Sequence, residues 1–254
     1  GRWRLPPGAA AGLRRAAGPA RRYRSLFSPD LPTVRVDGRQ TVQEVTAELE
    51  SLSAGHARAV GIVAQGQPGI ALAFDVAAAL RSAARAPAFE LADAGTAARL
   101  VGGKAAGSEA EEQPSDPNRP RCKFYHVALP PAEEWRPEAR RRVSARLPVG
   151  NHTRIVQLAK SLATRAAALQ EGEAVALETV LLGDEKIRRL RIATMAQALV
   201  RAYHWQVLPN DASRPTRPFR CVAELLRREA AAPPPGGAAE CWVLSLEALP
   251  EGPA

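Results

Sequence analysis

The sequence predicts a mixed α/β (α+β) protein, with two tandem β-α-β-α-β-β sandwich domains behind a basic N-terminal arm. Three observations lead there. Short apolar, β-branched runs alternate with longer segments of helical period, the pattern of β-α-β units. That order occurs twice, and superposing Val60 on Val175 aligns the second strands of the two halves. The third observation is charge: of 35 Lys and Arg set against 26 Asp and Glu, seven arginines and no acid fall in residues 1–29, leaving the rest of the 254-residue chain at only +2.

In the first half, Thr33-Val34-Arg35-Val36 alternates as a short strand and stops at the Asp37-Gly38 turn. Val42, Val45, Leu49 and Leu52 then fall at helical spacing over Thr41 to Leu52, with Thr41 and Glu44 in capping-box positions and Gly55 beyond the end. Arg58 to Ala64 reads as a buried strand, Gly66 to Gly69 as a turn, and Ile70 to Arg85 as an Ala-rich helix closed by Pro87. Phe89-Glu90-Leu91 is a third strand and Cys122 to Leu129 a fourth, separated by a long loop over 93–120.

The second half repeats the order. Arg142 to Leu147 is a strand, Pro148-Val149-Gly150 a turn, and Asn151 the cap of a helix reaching about Leu169. Ala174 to Leu182 is a strand, and Gly183-Asp184 opens a long helix through Tyr203. His204 to Leu208 reads as a third strand, Phe219 to Leu226 as a fourth, and Cys241 to Leu246 as a last strand that pairs at an edge or docks on a partner. The expected boundaries are an arm at 1–32, a first domain at 33–130, a linker at 131–141 and a second domain at 142–254 with a Pro/Gly-rich loop at 232–238.

Several chemistries find no support. No apolar run approaches the ~18 residues of a membrane-spanning helix. Cys122, Cys221 and Cys241 are odd in number and form no C-x-x-C pair, against a disulfide scaffold or a four-cysteine zinc site. His56, His126, His152 and His204 lack metal spacing, and Gly102-Gly103-Lys104 lacks the rest of a phosphate loop. Glu111-Glu112 and Glu133-Glu134 lie in loops near prolines, with nothing to hold them in catalytic geometry. The reading is of a protein that is not an enzyme, with no cofactor and no metal.

What remains is cationic. Arg2, Arg4, Arg14, Arg15, Arg21, Arg22 and Arg24 suit phosphate contacts, because a guanidinium offers paired donors and each contact releases a counterion. The same composition suits a targeting segment. Arg140, Arg141 and Arg142 lie near Trp135, an aromatic able to stack on a base. Lys186, Arg188, Arg189 and Arg191 crowd a helix start that is already positive; an anionic partner would relieve that conflict, which Asp184 and Glu185 offset in part.

The order of elements, with a turn glycine before a long second helix, resembles the Alba superfamily, and within it the small domain of stage V sporulation protein S. The stretches that carry the likeness are Val143-Ser144-Ala145, Val175 to Leu182 and Ile187 to Arg201 in the second half. In the first half they are Ala64-Gln65-Gly66-Gln67 and Ile70 to Leu80. The C-terminal domain of bacterial translation initiation factor 3 is similar in element order. The resemblance implies paired nucleic-acid-binding domains without catalysis, often acting on RNA. It also implies basic residues in the loop after the first strand and in the hairpin joining the last two. Those positions hold Arg39, then Arg119, Arg121 and Lys123 in the first half, and Arg214, Arg217 and Arg220 in the second; the loop at Leu147 to Asn151 holds none.

Together these readings predict a non-catalytic, RNA-binding structural subunit of an organellar ribosome, in the mitochondrial matrix or a plastid. Its partners would be rRNA and other ribosomal proteins, with no small-molecule substrate and no membrane insertion. The alternative is an accessory scaffold subunit of an organellar respiratory complex, whose acidic protein surfaces the same arginines would meet.

Overall fold

Alternation in β1 (Thr33–Val36) buries Val34 and Val36 and leaves Thr33 and Arg35 outside, and β1 lies parallel to β2 (Val60–Gln65). A parallel pair needs a crossover, supplied here by α1 (Val42–Leu52). Its start is set by sequence: the Glu44 N–H donates to the Thr41 hydroxyl (3.2 Å) and the Thr41 N–H to the Glu44 carboxylate (2.7 Å). The Thr41 N–H and the Thr41 hydroxyl (2.9 Å) both donate to the Glu44 carboxylate, favour its ionised form and hold the Glu44 pKa below its ordinary value. The computed structural model describes residues 25–53, 58–80, 88–93, 97, 124–131, 142–150, 152–179, 184–207, 218–227 and 240–249.

The first half continues through α2 (Gly66–Leu80), β3 (Ala88–Asp93) and β4 (Phe124–Leu129). The second runs β5 (Arg142–Val149), α3 (Ile155–Ala166), β6 (Glu173–Thr179), α4 (Glu185–Val207), β7 (Phe219–Arg227) and β8 (Glu240–Ala248). Among the described residues, the strands form one mixed 8-stranded sheet in the order β1-β2-β4-β3-β7-β8-β6-β5. Counted from its own first strand, each half has the order 1-2-4-3. The halves meet where β3 and β7 pair antiparallel, with Phe89 opposite Ala223. The architecture is therefore α+β, with the two halves sharing one continuous sheet.

Alternate residues of every strand pack with α1 to α4 in a single core, from Val34 and Ile62 through Phe89 and Val127 to Val175, Leu177 and Leu244. The opposite face of the sheet centre carries small and polar side chains, yet Glu90, Arg220, Ser245 and Glu247 are buried there. Residues 25–32, assigned to the arm from sequence, lie against this sheet. The Leu26 N–H and the Ser25 hydroxyl donate to the Glu90 carboxylate (2.9 and 3.2 Å), and Phe27 is buried with Ala92 and Ala128.

Four expectations are corrected. The predicted turn at Gly66 to Gly69 is the first turn of α2. Gly66, at φ +66°, reverses the chain without a loop, and Pro68 sits early in the helix, where no intrahelical N–H is required. The predicted strand at His204 to Leu208 is helical through Val207, because Val200, Ala202 and Tyr203 continue the buried face of α4 and that burial outweighs local strand propensity. The strand around Cys241 to Leu246 is neither an edge nor a docking strand; as β8 it lies between β7 and β6. Finally, β5 runs through Pro148 rather than turning there. As an edge strand it has one side where a missing N–H breaks no ladder bond.

Gly69 marks a close approach. A Cβ there would stand 2.7 Å from the Val36 carbonyl oxygen and 3.3 Å from the Ala64 carbonyl carbon, both backbone atoms. Gly69→Ala is expected to destabilise the fold by about 1–3 kcal/mol, the range for overpacking, because α2 must move off β1 and β2. Urea denaturation checks this, and an unchanged midpoint would contradict it.

Candidate nucleic-acid interface

The helical layer is electrostatically lopsided. Helix α1 carries Glu44, Glu48 and Glu50 and no base, and the only charge on α2 is Asp75. Helix α3, with its cap residue Arg154, carries Lys160 and Arg165 and no acid. Helix α4 sets Lys186, Arg188, Arg189, Arg191 and Arg201 against Glu185 alone. The two helices of the second half pack on each other, so their cations share one end of the layer.

Between the start of α3 and the C-terminal half of α4 lies a cavity of about 780 Å³ that reaches down to the ends of β3 and β4. Arg154, Lys160 and Arg201 line it, and all three are exposed. Trp205, 39% exposed, stands beside them, with the Arg201 guanidinium 5.8 Å from the centre of its ring. The deeper wall is shared between the halves: Tyr125 of β4 and its sheet neighbour Asp93 of β3 come from the first, and His204 of α4, whose Nε2 contacts the Asp93 carboxylate, from the second. Burial pushes the Tyr125 pKa up to about 12, with Asp93 acting in the same direction and Arg201 opposing. The phenol therefore stays protonated, able both to donate and to accept a hydrogen bond. Among the described residues no cluster of His, Cys, Asp and Glu has the makings of a metal site.

The residues singled out from sequence are dispersed. Arg2, Arg4, Arg14, Arg15, Arg21, Arg22, Arg24, Arg119, Arg121, Lys123, Arg140, Arg141, Arg214 and Arg217 lie outside the described residues. Arg39 is exposed in the β1–α1 turn, 3.6 Å from Asp37. Arg142 is exposed on the edge strand β5, 3.8 Å from Glu173. Lys186 and Arg188 are exposed on the first turn of α4, opened by Asp184, whose carboxylate accepts from the Ile187 N–H (2.8 Å).

Two arginines are held by neighbouring carboxylates, Arg189 half-exposed and Arg220 buried. Arg189 pairs with Glu185 (2.9 Å) and approaches Asp75 of α2 at 2.8 Å, an ion pair without hydrogen-bond alignment. Burial raises the Asp75 pKa, and Arg189 draws it back down. Arg220 is buried in β7, its Nε 2.6 Å from the Glu247 carboxylate, so it faces no phosphate. It is also no hairpin residue. With His204 to Val207 helical, the hairpin of the second half joins β7 to β8 beyond Arg227, and Arg214 and Arg217 precede β7.

Sequence reasoning missed Arg154, Lys160, Arg201, Trp205 and Tyr125. A signal existed for part of the set: Gln197, Arg201, His204 and Trp205 fall at i, i+4, i+7 and i+8, one helical stripe of polar and aromatic residues. Ending the helix at Tyr203 hid it. Comparison of the chain with protein-family models, curated proteins and solved structures finds no match.

Proposed function

We propose that this protein is a non-catalytic, RNA-binding structural subunit, and that its assembly is an organellar ribosome, reached through the acid-free arginine arm. The observation that carries the reading is the charge on α3 and α4, where Arg154, Lys160, Arg165, Lys186, Arg188 and Arg201 are exposed at one end of the helical layer while α1 is acidic. A surface of this kind attracts a polyanion, releases counterions on contact and orients the body relative to the strand. The acidic α1 end then faces away from the nucleic acid, toward protein neighbours.

Binding of a single-stranded RNA should weaken linearly in log[salt]. The triple variant Arg154→Gln, Lys160→Gln, Arg201→Gln should flatten that slope by about 2, at about 0.7 per lost phosphate contact on a single strand. Fluorescence anisotropy across a salt series measures both. Binding that ignores salt, or a triple variant indistinguishable from wild type, would sink the RNA reading. The assembly is tested by sedimenting the native protein from organelle lysate with and without ribonuclease. A particle untouched by the nuclease means a protein partner, and the respiratory-complex alternative replaces the ribosomal one.

A further inference from the structure

The cavity is more specific than the charged surface around it. We infer that it takes an unpaired nucleotide of a single RNA strand, the base seated inside against Trp205 and the phosphate held at the rim by Arg154, Lys160 and Arg201. This rests on the RNA-binding reading and adds to it a site and a ligand class.

Size, polarity and access all argue for this occupant. A volume of about 780 Å³ lies within the ~300–1,000 Å³ typical of pockets that enclose a small ligand. The walls contributed by Ile155, Val156 and Val200 are apolar, which suits the faces of a base but not a sugar-phosphate backbone alone. Trp205 offers an exposed indole beside the Arg201 guanidinium, and unstacked bases are held on aromatic rings and guanidinium planes.

Charge decides which way round the nucleotide lies. Cations occupy the rim, whereas the Asp93 carboxylate lies at the sheet end in contact with His204. A phosphate is drawn to the rim and repelled from the floor, while a base meets hydrogen-bonding groups in Tyr125 and Asp93 there and in Gln197 of the α4 wall. A base inside a duplex is stacked on both faces and cannot enter without being extruded, so the pocket selects single strands.

The test uses the full chain, a short single-stranded RNA containing 2-aminopurine, the same RNA annealed to its complement, and free adenosine monophosphate. Wild type should bind the single strand more tightly than the duplex and quench the 2-aminopurine. Trp205→Ala should weaken single-strand binding at least about fivefold and abolish the quenching, as expected for a lost stacking contact, with duplex affinity unchanged. Trp205→Phe should recover most of the loss.

Equal binding of both RNAs, with Trp205→Ala neutral, overturns the cavity site while leaving the basic surface intact. A parallel loss on both RNAs also overturns it, since that reports a general structural effect. Adenosine monophosphate bound as tightly as the strand overturns the strand as the source of the nucleotide. Wild type that binds neither RNA overturns the RNA-binding reading and this site together.

Discussion

Replacing Phe74 by alanine is expected to cost about 3–5 kcal/mol of unfolding free energy, the range for a buried aromatic truncated in a core. Phe74 is fully buried on α2, with its ring centre 4.9 Å from Phe89 of β3 and 5.0 Å from Trp242 of β8, edge-to-face at 77° and 82°. Such pairs add about 0.5–1.5 kcal/mol beyond area burial. Phe74 and Phe89 belong to the first half and Trp242 to the second, and Phe89 and Trp242 themselves touch at 5.2 Å. The trio thus stands over the β3–β7 seam, and losing its central ring weakens the joint between halves as well as the local core. Guanidinium denaturation followed by circular dichroism and by tryptophan fluorescence measures this. A loss below about 1 kcal/mol would show that the cavity collapses freely and that the seam does not depend on this ring.

Glu247→Ala is expected to be comparably damaging. Glu247 and Arg220 are both buried on the sheet face away from the helices, 2.6 Å apart, and the Ser245 hydroxyl donates to the other carboxylate oxygen at 3.2 Å. Removing one partner of a buried ion pair costs up to about 3–5 kcal/mol, because the remaining charge loses a close counter-charge out of reach of bulk water. The sharper check is the double variant Arg220→Met, Glu247→Leu. Apolar groups of similar size carry no desolvation cost, so the pair replaced together should recover most of what Glu247→Ala loses. If the double variant were as unstable as the single one, packing in these side chains rather than charge would be the cause.

The charge pair shows where reading the sequence stops. Nothing around Arg220 distinguishes a buried arginine from an exposed one; its neighbours Phe219 and Cys221 are apolar, as on any alternating strand with one wet face. Its burial depends on β7 standing mid-sheet, between β3 and β8. Similarly, His204 to Val207 continues a helix because of what packs beneath Val200 and Tyr203, and a window of five residues does not contain that information. The elements that were legible are those with their own local signals: the Thr41–Glu44 capping box, the alternation of β1, and the helical period of α1, α3 and most of α4.

The sequence alone determined the α+β class, the repeated order of elements and the separation of an acid-free arginine segment from a nearly neutral remainder. Each of these is written in short-range periodicity or plain counting, and hydrophobic period suffices to read them. Only the tertiary structure decided that the halves share one sheet through β3 and β7, that Arg189 and Arg220 serve the fold, and that Arg154, Lys160, Arg201 and Trp205 gather at one cavity. Strand order and helix docking bring together residues more than a hundred positions apart, as with Asp93 and His204 or Phe74 and Trp242. Such pairings arise from the burial of one shared core, which leaves no local period in the chain.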